Sequence, residues 1–488
     1  MKVIIVGAGF GGIAAAIELR RHGFDELTLL EAAPEPGGTW HYNRYPGAAC
    51  DVPSHFYSYS YAQRPDWSRL CSPQPEILEY LRGVAAEFGV DRSVVTGMEV
   101  TSCHWDEDAC RWTVHARDAA GERHTWHGEA LVLATGQLNQ PAVPALPGRA
   151  AFEGHSFHSA RWDHGYDLRD KRVAVVGTGA SAVQFVPEIA SRVSRLTVFQ
   201  RTGNWFLPLS NGPYPRTVRA LLRRVPGLRA VWRAVLFSAM ELLTAAIRHP
   251  GTLGRFAGAL AGAFMRRQLR DPEVRRKAWP TYPFGCKRVL FSSTFLPALQ
   301  GENVELVTAP ITGMSPRGPV TADGRTHEVD CVIYATGFRT NDFMLPMEIT
   351  GTGGRSLREA WARGPRAHLG ITVPGFPSMF LMYGPNTNTS GGSIIFFLQA
   401  QARYLCQALR RVRTHRAAAI EVRAEAEAAD VLAVRRRFDG TAWLRCDSWY
   451  RDAAGRNVAN WPGYMREYAA RTRTLDPADF RLLRGNRG

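Results

Sequence analysis

The chain has 488 residues, 45% of them apolar, 10% aromatic and 21% charged, a composition that excludes disordered and fibrous classes. Its length allows roughly two to four domains. Sixty Lys and Arg against 44 Asp and Glu give +16, an excess that points to nucleic acid, a membrane surface or an acidic partner until its place along the chain is known.

The N-terminal run MKVIIVGAGFGGIAAAIEL has one Lys and an apolar stretch, but glycines punctuate it and Glu18 closes it, so it reads as a strand entering a helix over 12–22 rather than a signal peptide. Gly7, Gly9 and Gly12 follow the strand directly. That spacing provides a tight turn, room for backbone to approach a pyrophosphate, and a helix N-terminus facing the phosphates. The next run, LTLLE, ends in Glu31, where an acid about 20 residues beyond the glycines accepts hydrogen bonds from ribose hydroxyls. The loop GGTWHYNRYPGAACD, 37–51, gathers glycines, Trp40, a Tyr-Pro-Gly turn and Asp51. By its residues alone it is equally a flat-ring pocket or an aromatic Ω-loop.

Short apolar runs closed by small residues recur as ALVLATGQ at 130, VAVVGTGASA at 173 and CVIYATGF at 331. Alternating with helical stretches such as 180–193, they predict parallel βαβ units covered on both faces. Gly177, Gly179 and Ala182 form a second dinucleotide turn. The strand after it, LTVFQRT, ends not in an acid but in Arg201, whose guanidinium favours the 2′-phosphate of NADPH over NADH.

Residues 213–280 break the pattern with long helical stretches and Pro-rich punctuation, predicting a helical insertion. Residues 216–277 hold fourteen Arg or Lys and three Asp or Glu, so the basicity belongs to this segment. It reads either as a dock for an acidic carrier protein or a membrane surface, or as Arg stems covering core helices. No nucleic-acid recognition motif accompanies it. The stretch 420–437 predicts another surface helix, and WLRCDSWY and ANWPGYMREY an aromatic C-terminal packing segment.

The eight cysteines contain no C-x-x-C pair, which leaves metal and dithiol chemistry unsupported and fits a reducing, cytoplasmic setting. No uninterrupted run of 18 apolar residues occurs, so no transmembrane helix is expected. Two dinucleotide turns without a redox disulfide suggest that hydride passes from nicotinamide to flavin and then on to oxygen. A disulfide reductase would need a cysteine pair near the flavin, and Cys50 has no near partner in sequence.

The segment FEGHSFHSARWD, with Phe152, Gly154, His158, Trp162 and Asp163, resembles the F-x-G-x-x-x-H-x-x-x-W-(P/D) fingerprint of type I Baeyer-Villiger monooxygenases. The 37–51 loop, ATGQLNQPAVPALPG, FGCKRVLFSS, DCVIYATGF and FPSMFLMYGPNTN resemble further blocks of that family, so the likeness runs along nearly the whole chain. It implies an α/β fold of two Rossmann-like dinucleotide-binding domains, for FAD and NADPH, with a helical insertion. By that likeness 1–140 and 338–488 bind FAD, 150–212 and 281–337 bind NADPH, and 213–280 is inserted. It also implies insertion of one oxygen from O2 beside a ketone carbonyl, through a peroxyflavin, giving an ester or lactone. An N- or S-oxygenating flavin monooxygenase of similar architecture is the competing reading.

Residue by residue, the resemblance makes Arg288, in Gly285-Cys286-Lys287-Arg288, the catalytic arginine and Asp51 the acid that orients it. Lys287, Arg201 and Thr202 would contact the NADPH 2′-phosphate, and Thr178, Ala180 and Ser181 would complete the second glycine turn. Thr39, Trp40, Tyr57 and Val100 would contribute to the flavin or nicotinamide pocket, and His158 would lie in the connection between domains without catalysing. Val289 and Phe295 stand where the family often has Pro and a paired-Tyr segment, and GPNTNTSGGSIIFF also departs from the cyclic-ketone enzymes, so no cyclohexanone-like substrate is carried over.

Overall fold

A computed structural model of the chain describes residues 1–340, 343–344 and 346–485. The recurrent apolar runs pair off. Val3–Val6 and Ala130–Leu133 are neighbours in one five-stranded sheet, ordered Met379–Leu381, Ala130–Leu133, Val3–Val6, Leu27–Glu31, Val94–Thr96. Arg172–Val176 and Cys331–Tyr334 are neighbours in a second, ordered Val304–Val307, Arg195–Phe199, Arg172–Val176, Cys331–Tyr334, His155–His158. Every pairing in both sheets is parallel. Central strands such as VIIV and ALVL are buried throughout, as expected where helices cover both faces. The first sheet draws on distant parts of the chain, because Met379–Leu381 lies against Ala130–Leu133 and helix Ile394–Thr414 packs on Phe10–Arg21.

Residues 99–128 form an antiparallel meander, Glu99–Asp106, Arg111–Arg117 and Arg123–Gly128, with Glu348–Thr350 parallel at its edge. Trp112, Val114 and Ala116 alternate inward along it, the period-two pattern of a sheet with one covered face.

Three expectations need correction. The first helix begins at Phe10, two residues early, because Gly9 already serves as its N-cap. The stretch 420–437 is not one helix: Ala419–Val422 is a buried strand paired with Phe480–Leu483, and the helix starts at Ala424. Glu421 keeps that strand inside by accepting hydrogen bonds from Arg481 at 3.0 and 3.1 Å. The cysteines are not all thiols, since Cys286 and Cys446, 160 residues apart, are joined in a disulfide and six others are free. Among the four helices of the 213–280 segment, Leu228–Arg248 alone is long and apolar enough by length and composition to cross a membrane, which is weak evidence and leaves no clear membrane span among the described residues. Arg233 and Glu241 interrupt its apolar run, which is why an uninterrupted stretch does not reveal it.

Candidate active site

At the first turn a side-chain carbon on Gly12 would lie 1.9 Å from the Gly7 carbonyl oxygen, and one on Gly9 would lie 3.3 Å from the Cα of Gly38. At Gly12 only glycine lets the backbones meet, whereas a side chain on Gly9 would press Gly38 back by a few tenths of an ångström. Helix Phe10–Arg21 starts at Gly9 with no side-chain cap and no acid in its first turn, so its end N–H groups remain available to an anion. Glu31 is buried beside this turn, accepting from the Ala8 N–H at 2.7 Å and the Ala33 N–H at 2.9 Å. Free donors, an approachable backbone and a carboxylate at the strand end fit a dinucleotide.

The 37–51 loop runs from this turn toward the second. Thr39 opens the short helix Thr39–Tyr42. The Trp40 indole donates to the Tyr57 hydroxyl at 3.3 Å, with the two rings edge to face at 5.8 Å. Burial pushes the Tyr57 phenol well above its ordinary range and keeps it neutral. Tyr45 donates to Gln184 Oε1 at 3.0 Å, and Gln184 exchanges hydrogen bonds of 3.2 and 2.9 Å with the Ala49 backbone. Gln184 belongs to helix Ala180–Ala190, so the loop is clamped between the two nucleotide turns.

Asp51 and Arg288 meet at the end of that loop. Arg288 donates from Nε to Asp51 Oδ2 at 3.1 Å and from Nη2 to Oδ1 and Oδ2 at 2.6 and 2.7 Å. The Asp51 charge raises the guanidinium pKa further above an already high value, so Arg288 is a permanent cation with a fixed plane. About a third of its side chain stays exposed against 18% for Asp51, which leaves room for a reactant. The charge of Arg288 also acts on the Tyr383 and Tyr450 phenols, both pushed up chiefly by burial and therefore neutral. Tyr383 donates to Asn388 Oδ1 at 2.6 Å. The Cys50 thiol beside Asp51 is pushed well up by burial and by that carboxylate, leaving no nucleophilic thiolate there.

The second turn is more open. Gly177 has φ 106° with its missing Cβ facing the Ala335 carbonyl oxygen at 2.5 Å, while nothing lies within 4 Å of the same position on Gly179. Helix Ala180–Ala190, whose first residues are Ala180, Ser181 and Ala182, also lacks a capping side chain and a first-turn acid. Ala182 is buried in the apolar cluster that also holds Val173, Val175 and Ile189. The Thr178 carbonyl accepts from Asn204 at 2.7 Å. Arg201 is exposed and Thr202 partly so. Lys287 lies 4.8 Å above the Tyr282 ring, and its ammonium is lowered first by burial and then by the charge of Arg201. Two cations gathered at the end of a strand fit a phosphate dianion.

The fingerprint residues do not converge on Arg288. Trp162 packs edge-on against Phe185 at 5.2 Å and Phe157 at 5.1 Å, while Phe152, partly buried, packs against the apolar cluster of Val176, Phe199, Met314 and Val332. A Cβ on Gly154 would meet the Asp330 carbonyl oxygen at 2.7 Å. Asp163 pairs with His155 at 2.9 Å. His158 is buried, accepts at Nδ1 from the Ala160 N–H at 3.1 Å and touches Phe338. Burial lowers its pKa, so it is a neutral packing group between the edge strand and the 335–340 connection. Val100 lies on the meander, packed against its core. Sequence reasoning missed Gln184, Tyr383, Tyr450 and the Cys286–Cys446 tether, which fastens the Arg288 segment to the C-terminal aromatic segment. For Tyr450 the WLRCDSWY block was the available signal.

Comparison with known proteins decides the family. A Baeyer-Villiger monooxygenase of Streptomyces coelicolor is 40% identical over 488 residues, covering 99% of this chain and 93% of its own. The chain belongs to the Baeyer-Villiger monooxygenases. This monooxygenase superposes on an oxidised steroid monooxygenase bound to NADP with a TM-score of 0.87, 31% identity and 99% of each chain covered. It likewise matches an OTEMO complex with FAD and NADP at TM-score 0.87, 27% identity and 99% of each chain. The family model described as pyridine nucleotide-disulphide oxidoreductase matches residues 1–230. The enzyme is accordingly an FAD- and NADPH-dependent flavin monooxygenase of two Rossmann-like units.

Proposed function

We propose that Arg288 and Asp51 are the catalytic pair with which this enzyme inserts one oxygen atom from O2 beside a ketone carbonyl, giving an ester or lactone. The observation that carries the assignment is the three-bond grip of Asp51 on the Arg288 guanidinium. When bound, flavin and nicotinamide supply hydride transfer and oxygen activation. Arg288 holds the negative charge that develops on the substrate oxygen in a site partly withdrawn from water, where a fixed cation stabilises charge more than solvent does. Asp51 orients that cation and transfers no proton. Half-buried Tyr383 and buried Tyr450, both neutral, lie within the field of the guanidinium without competing with it for charge.

Gly7, Gly9, Gly12 and Glu31, with Thr39, Trp40, Tyr57 and Val100, serve FAD; Gly177, Thr178, Gly179, Ala180, Ser181 and Ala182, with Arg201, Thr202 and Lys287, serve NADPH. The same reading divides the chain into an FAD domain of 1–140 and 338–488, an NADPH domain of 150–212 and 281–337, and the insertion 213–280. The insertion is a contact surface toward an acidic carrier protein or a membrane surface. NADPH dependence and six free cysteines support a cytoplasmic setting.

Replacing Arg288 with Ala is expected to leave FAD bound while ketone oxygenation falls roughly a hundredfold to a thousandfold, read as product formed per NADPH consumed. Ketone oxygenation at the normal rate in Arg288→Ala would remove the pair from catalysis and favour heteroatom oxidation.

A further inference from the structure

The surface of the helical insertion is inverted. Among the described residues, eight of the thirteen large apolar side chains exposed to solvent lie on helices Arg216–Arg224, Leu228–Arg248 and Leu253–Gln268, and a ninth, Val225, follows the first of them directly. In Leu228–Arg248 the exposed positions are 230–231, 234–235, 238–239 and 242, spaced as one face of an α-helix. They carry Ala, Val, Ser and Leu and no charge. The charged residues of the same helix point the other way. Arg233 donates to the carbonyls of His55, Phe56 and Ser58 at 2.7, 3.4 and 3.1 Å, and Glu241 is buried, accepting from the Met465 N–H at 2.7 Å. A surface helix ordinarily shows the opposite arrangement.

Its neighbours continue the apolar face. Val218 and Leu221 are exposed at i and i+3 on the preceding helix, with Val225 just past its end, and Leu253, Phe256 and Leu260 at i, i+3 and i+7 on the following one. The outermost are far from buried: Leu242 is 65% exposed and Phe256 66%. Cations surround them. Residues 216–270 contain eleven arginines and a single acid, the buried Glu241, and Arg216, Arg219, Arg223, Arg224, Arg266 and Arg267 are exposed. Among the described residues Arg248 is the arginine of this stretch that pairs with an acid, Glu467.

We infer that this face docks on an anionic lipid bilayer, lying in the interface with the apolar stripes of the three helices among acyl chains and the arginines among headgroups. The bilayer satisfies both features at once. A second copy of the chain meeting the same face about a twofold axis would set arginines against arginines, which like-charge repulsion opposes. The inward bonds of Arg233 and Glu241 fasten the central helix to the body, so it lies along the surface and does not span. The inference deepens the reading of the insertion as a contact surface and is independent of the oxygenation chemistry. If that chemistry holds, the dock brings the enzyme to lipophilic ketones dissolved in the membrane.

The test is flotation of the holoenzyme with vesicles of phosphatidylcholine alone or of phosphatidylcholine with phosphatidylglycerol, at low and high salt. Binding is expected to the phosphatidylglycerol vesicles and to be released by salt. Leu242→Asp with Phe256→Asp, and separately Arg223→Glu with Arg224→Glu, are expected to weaken binding by about tenfold or more. Both pairs should keep full FAD content and normal turnover of a water-soluble ketone, because none of these residues touches the candidate active site. Failure to float with phosphatidylglycerol vesicles overturns the inference, as does binding that the variants do not weaken. A dimer in light scattering that Leu242→Asp dissociates, or retention of an acidic acyl carrier protein without vesicle binding, would assign the face to a protein partner instead. Vesicle binding is read without turnover, so its failure is separable from a failure of the Arg288 assignment.

Discussion

The two glycine turns share one strand-turn-helix design and differ in how tightly they are closed. At the first, Gly9 faces Gly38 across a gap that leaves a side chain 3.3 Å from the opposing Cα, and the third position must be Gly12 because a Cβ there would lie 1.9 Å from the Gly7 carbonyl oxygen. At the second, Gly179 faces open space and the third position accommodates the methyl of Ala182. The first strand-end carries a buried carboxylate, Glu31, and the second an exposed guanidinium, Arg201, beside Lys287. A closed, acid-ended cradle suits a resident dinucleotide read by its ribose hydroxyls. An open, cationic one suits a phosphorylated dinucleotide that enters and leaves with each turnover.

Matched substitutions test the difference most severely. Gly12→Ala forces apart the turn itself, so the protein is expected to lose bound flavin or fail to fold, as read by visible absorbance of the purified protein. Gly179→Ala meets no atom of the chain and should fold with full flavin, raising only the KM for NADPH by filling the space the pyrophosphate approaches. Equal tolerance of both would show that the two turns do not differ in closure.

The region around the first turn should also be the more sensitive to acid. His55, four residues after Asp51, is fully buried with both ring nitrogens unpartnered. Burial, then the charges of Arg229 and Arg233, push its pKa down to about 4. The unfolded chain takes up this proton near pH 6.5 and the folded one refuses it, so stability is full above about 6.5 and falls by about 3 kcal/mol as pH drops toward 4. Denaturant unfolding of the wild type and of His55→Gln across that range checks the sign, the variant being expected to show a shallower decline.

A smaller effect sharpens the other side. Arg201→Ala should raise the KM for NADPH about tenfold or more while leaving NADH nearly unaffected, because only the 2′-phosphate distinguishes them. A parallel loss for both cofactors would place Arg201 outside phosphate recognition.

What was legible in the sequence was local. Glycine turns, buried strands and the cation after the second turn are written in consecutive residues, since close backbone approach and two-faced burial constrain each position directly. The disposition of the site was not. Asp51 and Arg288 stand 237 positions apart, and the likeness to a family implied their pairing where spacing could not. Gln184 has no sequence signature as a clamp, because its role depends on the loop that arrives beside it. Ala419–Val422 read as helix because an adjacent helical pattern runs into it, and its strand character comes from Phe480–Leu483 pairing alongside.

The sequence by itself determined that this protein carries two dinucleotide turns of opposite charge and a basic helical insertion, because those features follow from residue type and short spacing. Only the tertiary structure decided that Asp51 grips Arg288 in a fixed plane, that Cys286 reaches Cys446, and that the central helix of the insertion turns its charges inward and its apolar stripe outward. The physical reason is common to all three. Composition and periodicity establish that a residue has two sides or a reactive end, but which neighbour occupies that side is set by long-range packing.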